Sequence, residues 1–139
     1  MKYWDSSALL ALVLEEDRTR EVVSIHAADP DLTVWCLTDV EIASALARRL
    51  REGLPNDRSD SIRADLKRYS DRWSPVGALE LVRVRALRLV HTHPLRAGDA
   101  LQLGAALVAC NERPEALPFV CLDDRLRDAA RREGFPVLP

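Results

Sequence analysis

Three short β-prone runs constrain this chain most: KYW at 2–4, LTVWCL at 32–37 and FVCL at 119–122, each followed at once by a helical pattern. Runs this short, apolar and rich in β-branched or aromatic residues, read as strands buried in a sheet. After the first, Ser6–Ser7 opens the helical pattern ALLALVLEE. After the second, Thr38 opens TDVEIASALARRLREG, which stops at Gly53 and Pro55. After the third, a charged helix is predicted over Asp123–Glu133, closed by Gly134. Further helices are expected over Thr19–Ala28, from a cap at Asn56 to about Trp73, over Leu79–His91 and over the Ala- and Leu-rich stretch Asp99–Cys110. Ser74–Pro75 is expected to break the chain, Asn111–Pro118 to form a loop, and Val137–Leu138 to add a last strand. Strands alternating with helices imply an α/β fold around a parallel sheet.

The chain has 139 residues and no internal repeat or linker, so a single domain over 1–139 is expected. That length supports a core without disulfide staples. Cys36, Cys110 and Cys121 lack any CxxC-type spacing and sit in apolar company, where cysteine packs as a small core residue. No apolar run reaches the roughly 20 residues of a membrane helix, and the start MKYWDSSALL lacks the long apolar stretch of a secretory signal, so a cytoplasmic protein is expected. The net charge of −2 provides no global basic field for nucleic acid. The positive charge is nearly all arginine, which suits bidentate phosphate contacts and equally suits solvated helices.

The informative pattern is where certain acids fall. Asp5 follows the first strand and Asp123 the strand FVCL; Glu41 lies in the first turn of the helix after LTVWCL. In an open parallel sheet, strand C-termini and the helix N-termini that follow share one edge, where ligands bind. Asp99, after the Leu95–Gly98 turn, joins them only where its helix starts at that edge as well. Each acid also has an ordinary explanation. Thr38 and Glu41 have capping-box spacing. Asp5, Asp99 and Asp123 suit N-caps and the helix dipole. Four carboxylates aimed at one edge repel one another and raise each other's pKa, which a bound cation relieves. Carboxylates without His or Cys suit Mg²⁺ or Mn²⁺, and such ions drive phosphodiester hydrolysis. Zinc is disfavoured, because His26, His91 and His93 have no ligand spacing; these read as surface or packing residues, His93 being the nearest to a substrate role.

Four segments taken in order, YWDSSALLAL, LTDVEIASALARR, LRAGDALQLGAAL and FVCLDDRLRDAA followed by Gly134, resemble the PIN-domain ribonucleases, and in particular the VapC-type toxins of toxin–antitoxin pairs. The resemblance spans nearly the whole chain; no single segment is specific, but the ordered set is. It implies a three-layer α/β/α sandwich around a parallel sheet, and metal-dependent endonucleolytic cleavage of RNA. Asp5, Glu41, Asp99 and Asp123 match the family's acids and are expected to act as catalytic and Mg²⁺-binding residues, with Mn²⁺ a substitute. Ser7, Thr38 and Arg96 match positions that support them. The resemblance also implies a homodimer and silencing by a small, VapB-like cognate antitoxin. Three departures stand out. Cys121 replaces a common Thr, Gln102 stands where His is common, and Asp124 beside Asp123 leaves open which of the two points inward.

Arg48, Arg49 and Arg51 end the helix that begins at the Glu41 turn and are candidate RNA contacts, though the helix dipole alone explains them. The charged helix from Asn56 is a candidate surface for the antitoxin or a second subunit. Two rivals remain at this level. A phosphohydrolase with an aspartyl nucleophile usually needs a second acid two residues after the first, where Ser7 stands. A non-catalytic module that binds RNA or protein on the same fold would have no need of repelling carboxylates.

Overall fold

A computed structural model describes residues 1–15 and 17–139. In chain order the elements are β1 (Lys2–Trp4), α1 (Ser6–Ala11), α2 (Thr19–Ala28), β2 (Leu32–Trp35), α3 (Thr38–Arg51), α4 (Asn56–Ser70), β3 (Trp73–Val76), α5 (Leu79–Thr92), α6 (Ala97–Ala109), a 3₁₀ turn (Pro114–Ala116), β4 (Phe119–Val120), α7 (Asp124–Arg132) and β5 (Val137–Leu138). The strands form one five-stranded sheet in the order β3-β2-β1-β4-β5. Every pairing in it is parallel. The chain builds outward from β1 through β2 to β3, then returns to the other side of β1 to lay down β4 and β5. The order therefore reverses between β1 and β4, and the C-terminal edge there is the crevice where such sheets bind ligands.

Alternation along the strands divides the core in two. Tyr3, Trp35, Phe119 and Cys121 face a cluster with Val82, Leu89, Leu103 and Leu126, under α5, α6 and α7. Trp4, Val34 and Val120 face the opposite cluster with Leu9, Val22, Ile42 and Ile62, under α1 to α4. Adjacent strand residues point to opposite faces, so a sheet buried on both sides needs large apolar groups at every position. β1, β2 and β4 supply them at Tyr3, Trp4, Leu32, Val34, Trp35, Phe119 and Val120, giving the expected α/β/α sandwich. Both helix stops at glycine are observed: Gly53 and Gly134 adopt φ of +109° and +98°, a region that L side chains rarely enter.

Some local expectations are corrected. The helix after β1 ends at Ala11 rather than running through ALLALVLEE, while Leu12 and Leu14 stay buried beyond it; tertiary packing overrides the helical period there. The last residue of that pattern, Glu16, lies outside the described residues. Asn56 is the first helical residue of α4, and the cap position belongs to Pro55 in an extended conformation. Ser74–Pro75, expected as a break, belongs to β3, which pairs with β2 at the sheet edge from Leu32–Trp73 to Trp35–Val76. An edge strand tolerates proline because its outer N–H has no ladder partner to lose. No helix among the described residues is long and apolar enough to cross a membrane.

Candidate functional site

Asp5 is the N-cap of α1 at the end of β1 and is only 3% exposed. Its Oδ2 accepts the Ser7 backbone N–H at 3.0 Å, the Ser7 hydroxyl at 2.5 Å and the Cys121 thiol at 3.6 Å. The Ser7 oxygen in turn accepts the Leu122 N–H at 3.0 Å, which ties α1 to the end of β4. Burial pushes the Asp5 carboxyl above its ordinary pKa, against the pull of the Ser7 and Cys121 hydrogen bonds, and the Asp99 charge adds to the rise. Cys121 therefore makes a weak contact to Asp5 through its thiol; burial, then the Asp5 charge, holds that thiol far above the usual range.

Glu41, half-buried on α3, accepts a hydrogen bond from Gln102 Nε2 at 2.8 Å, and the Ser6 side chain bonds to it as well. The capping-box explanation for Thr38 and Glu41 does not hold, since α3 is capped at Leu37 without any side-chain bond. Thr38 is fully buried instead, and its hydroxyl oxygen accepts from the same Gln102 Nε2 at 3.1 Å. The Glu41 carboxyl is raised first by burial, against the Gln102 and Ser6 bonds, and then by the charges of Asp5 and Asp99.

Asp99 is the third residue of α6, not its cap. Its Oδ2 accepts the backbone N–H of Arg96, the residue that precedes the helix, at 3.3 Å. Burial raises its pKa, the Arg96 N–H opposes this, and the Asp123 charge raises it further; Arg96 and Arg125 pull it down. Asp123 caps α7, its Oδ1 accepting the Leu126 N–H at 2.8 Å. The carboxylate of Asp124 is 98% exposed and pairs only loosely with Arg127, at 3.8 Å. Its neighbour Asp123 is the one whose charge reaches Asp99. A cleft of about 460 Å³ opens between the two helix starts, lined by Arg96, Asp99, Leu122, Asp123, Asp124 and Arg125.

All four acids thus sit at the starts of helices on the C-terminal edge, linked through their charges: Asp99 acts on Asp5 and Glu41, and Asp123 on Asp99. Among the described residues, no three His, Cys, Asp or Glu side chains close around a common point tightly enough to cage an ion by themselves. The donor set is nonetheless that of a hard cation. It consists of carboxylates alone, Asp5 buried and Glu41 and Asp99 half-buried, beside an open cleft with room for the waters that Mg²⁺ keeps. The residues fit such an ion, with Asp5, Glu41, Asp99 and Asp123 as its candidate holders.

Of the candidate RNA contacts, Arg49 lines a second cleft with Asp17, Arg18 and Leu122, and Leu122 joins that cleft to the one beside Asp99. Arg48 and Arg51 are exposed on the last turn of α3. His93 is no substrate-facing group: it is buried, with Nε2 2.6 Å from Glu133 Oε1, and Arg88 grips the same carboxylate at 2.6 and 3.1 Å. Reading the sequence missed Gln102 as a structural hub, along with Tyr3 and Ser6. The signal for Gln102 was a polar side chain inside an otherwise apolar helix, since a buried amide requires partners.

No protein-family model matches the chain, and no curated protein matches it. Solved structures do. The crystal structure of FitAcB from Neisseria gonorrhoeae superposes with a TM-score of 0.67 over 100% of this chain and 97% of that chain, at 15% identity. At that identity the likeness shows the fold alone, the PIN-like α/β/α sandwich.

Proposed function

We propose that this protein is a Mg²⁺-dependent endoribonuclease of the VapC toxin type. The observation that carries the reading is the convergence of Asp5, Glu41, Asp99 and Asp123 from four separate elements onto one sheet edge, where the Asp99 charge raises the pKa values of Asp5 and Glu41 and the Asp123 charge raises that of Asp99. Ordinary caps need no such gathering, and a scaffold gains nothing from carboxylates that repel. A bound divalent cation supplies positive charge at the phosphoryl oxygens and acidifies water for attack on the phosphodiester. The chain itself does the rest. Ser7 keeps the Asp5 carboxylate aimed by donating to it while bonded to Leu122. Arg96 and Arg125 flank Asp99 and offer guanidinium groups to the phosphates on that side. Arg18 and Arg49 do so across Leu122.

A VapB-like antitoxin holds the enzyme inactive in the cytoplasm. An apolar groove between α3 and α4, about 360 Å³ and lined by Ile42, Leu46, Leu66 and Trp73 with Arg63 and Lys67 at its rim, offers it a seat. The enzyme works as a homodimer, for which the exposed apolar residues Leu81, Val84 and Leu87 of α5 are the surface most in need of cover. The test is cleavage of total RNA by purified, antitoxin-free protein in Mg²⁺ or EDTA, comparing wild type with Asp5→Asn. Discrete cuts that need both the metal and Asp5 support the reading. Metal-independent cutting, or none by a protein that binds Mg²⁺, counts against it.

A further inference from the structure

We infer that Gln102 and Tyr3 form a buried relay that holds the Glu41 carboxylate in the orientation a cation needs, making both of them positioning residues of the acidic centre. The inference rests on the metal-dependent reading above. Gln102 is 1% exposed on α6, whose other buried residues are Ala, Leu and Gly. An amide buried there without partners is costly, so its bonds account for its presence. An ionised carboxylate only accepts, so the amide nitrogen must face Glu41. One Nε2 hydrogen goes to Glu41 Oε2 at 2.8 Å and the other to Thr38 Oγ1 at 3.1 Å. The remaining amide oxygen accepts the Tyr3 hydroxyl at 2.7 Å.

The Glu41 carboxylate thus sets the orientation of the amide. Turning it over would set oxygen against that carboxylate and lose the bond, whereas the Tyr3 and Thr38 hydroxyls, which donate or accept, follow the orientation that Glu41 imposes. Tyr3 lies on β1 two residues before Asp5, Gln102 three residues after Asp99, and Thr38 three before Glu41. The relay thus links the strand and both helices that carry three of the acids. It engages Oε2 of Glu41 and leaves Oε1 on the side of the first turn of α6, where a Cβ built on Gly98 would stand 3.7 Å away. Oε1 then faces the same turn that carries Asp99, as ligands of a shared cation must.

A purely structural stitch between β1, α3 and α6 would use the same bonds, so the test separates the two by measuring Mn²⁺ affinity calorimetrically beside thermal stability. Gln102→Leu is expected to weaken Mn²⁺ binding roughly 10- to 100-fold, the usual effect of removing a group that orients a ligand. Tyr3→Phe, which touches no acid, should weaken it several-fold while the protein stays folded. The double variant should bind no worse than Gln102→Leu, since both changes break one chain of bonds. Gln102→His should recover much of the affinity, because imidazole presents an N–H and an acceptor nitrogen in the two required roles. Variants that lose stability yet bind Mn²⁺ like wild type overturn the relay, provided Asp99→Asn abolishes binding. Absence of Mn²⁺ binding by wild-type protein overturns the metal reading itself, and the relay with it.

Discussion

Gly104 sits where α6 presses most closely on α5, and replacing it by alanine tests that contact. A Cβ built there would stand 3.0 Å from the Val82 carbonyl oxygen, 3.3 Å from the Ala86 nitrogen and 3.4 Å from the Arg85 Cβ. Two of these three atoms are backbone of α5 and cannot rotate aside, so the helices must move apart by a few tenths of an ångström. Overpacking of this kind costs about 1–3 kcal/mol. With two backbone contacts blocking relief, the cost lies in the upper part of that range, about 2–3 kcal/mol; removing a glycine from a helix interior returns about 1 kcal/mol, so the net loss is roughly 1–2 kcal/mol. For a domain of this size that lowers Tm by roughly 3–8 °C. The assay is thermal and urea unfolding followed by circular dichroism, with the urea slope unchanged if only stability moves. Gly98→Ala is the matched control, since its Cβ meets only Glu41 Oε1 at an ordinary 3.7 Å and should leave Tm equal or higher. A Gly104→Ala protein as stable as wild type would refute the close α5–α6 approach, which also positions Asp99 and Gln102 on α6.

Three further outcomes follow from the same geometry. The raised carboxyls of Asp5, Glu41 and Asp99 bind protons more tightly in the folded than the unfolded state, so metal-free protein loses stability as pH rises through their folded values. Glu133, held down by Arg88 and His93, works in the opposite direction and loses its contribution only as pH falls below the ordinary carboxylate range. The melting temperature in EDTA should therefore fall as pH rises through the folded values of these acids, with Mg²⁺ helping more at the higher pH, while His26, lowered by burial, pulls the other way near the ordinary histidine range; Mg²⁺ helping more at the lower pH would contradict the acid cluster. Cys121 and Cys110 are buried with their thiols raised by desolvation, whereas Cys36 is partly exposed, so iodoacetamide should label Cys36 first by peptide mass spectrometry, and early labelling of Cys121 would contradict its place beside Asp5. Leu87→Asp should convert the proposed dimer to a monomer in light scattering while the chain stays folded, because Leu87 is 51% exposed in the single chain; an unchanged dimer would move the interface away from α5.

The layers and the sheet were legible because β1, β2 and β4 announce themselves as short apolar runs, and because glycine stops such as Gly53 and Gly134 need no tertiary information. β3 was not legible. Its residues Trp73 to Val76 are half-buried or exposed at the sheet edge, so they show neither alternation nor an apolar run, and Pro75 reads as a breaker. The short α1 was hidden for the opposite reason: Leu12 and Leu14 continue the helical period, but the core holds them outside the helix. At the site, the placement of Asp5, Glu41 and Asp123 follows from helix starts after strands, which the sequence displays. What Thr38 and Glu41 bond to does not follow from it, because their partner Gln102 lies more than sixty residues away and spacing sees only the local capping box.

The central claim is that these four acids serve metal-assisted attack of water on RNA, and the chemistry of the product ends tests it most directly. Fragments made by wild-type protein in Mg²⁺ should carry 5′-phosphates and 3′-hydroxyls, a 2′-deoxy substitution at the cut site should still be cleaved, and Asp99→Asn should leave the RNA intact. Fragments ending in 2′,3′-cyclic phosphate, with cleavage lost on 2′-deoxy substitution and kept in EDTA, would mean that the ribose hydroxyl is the nucleophile and would contradict the account.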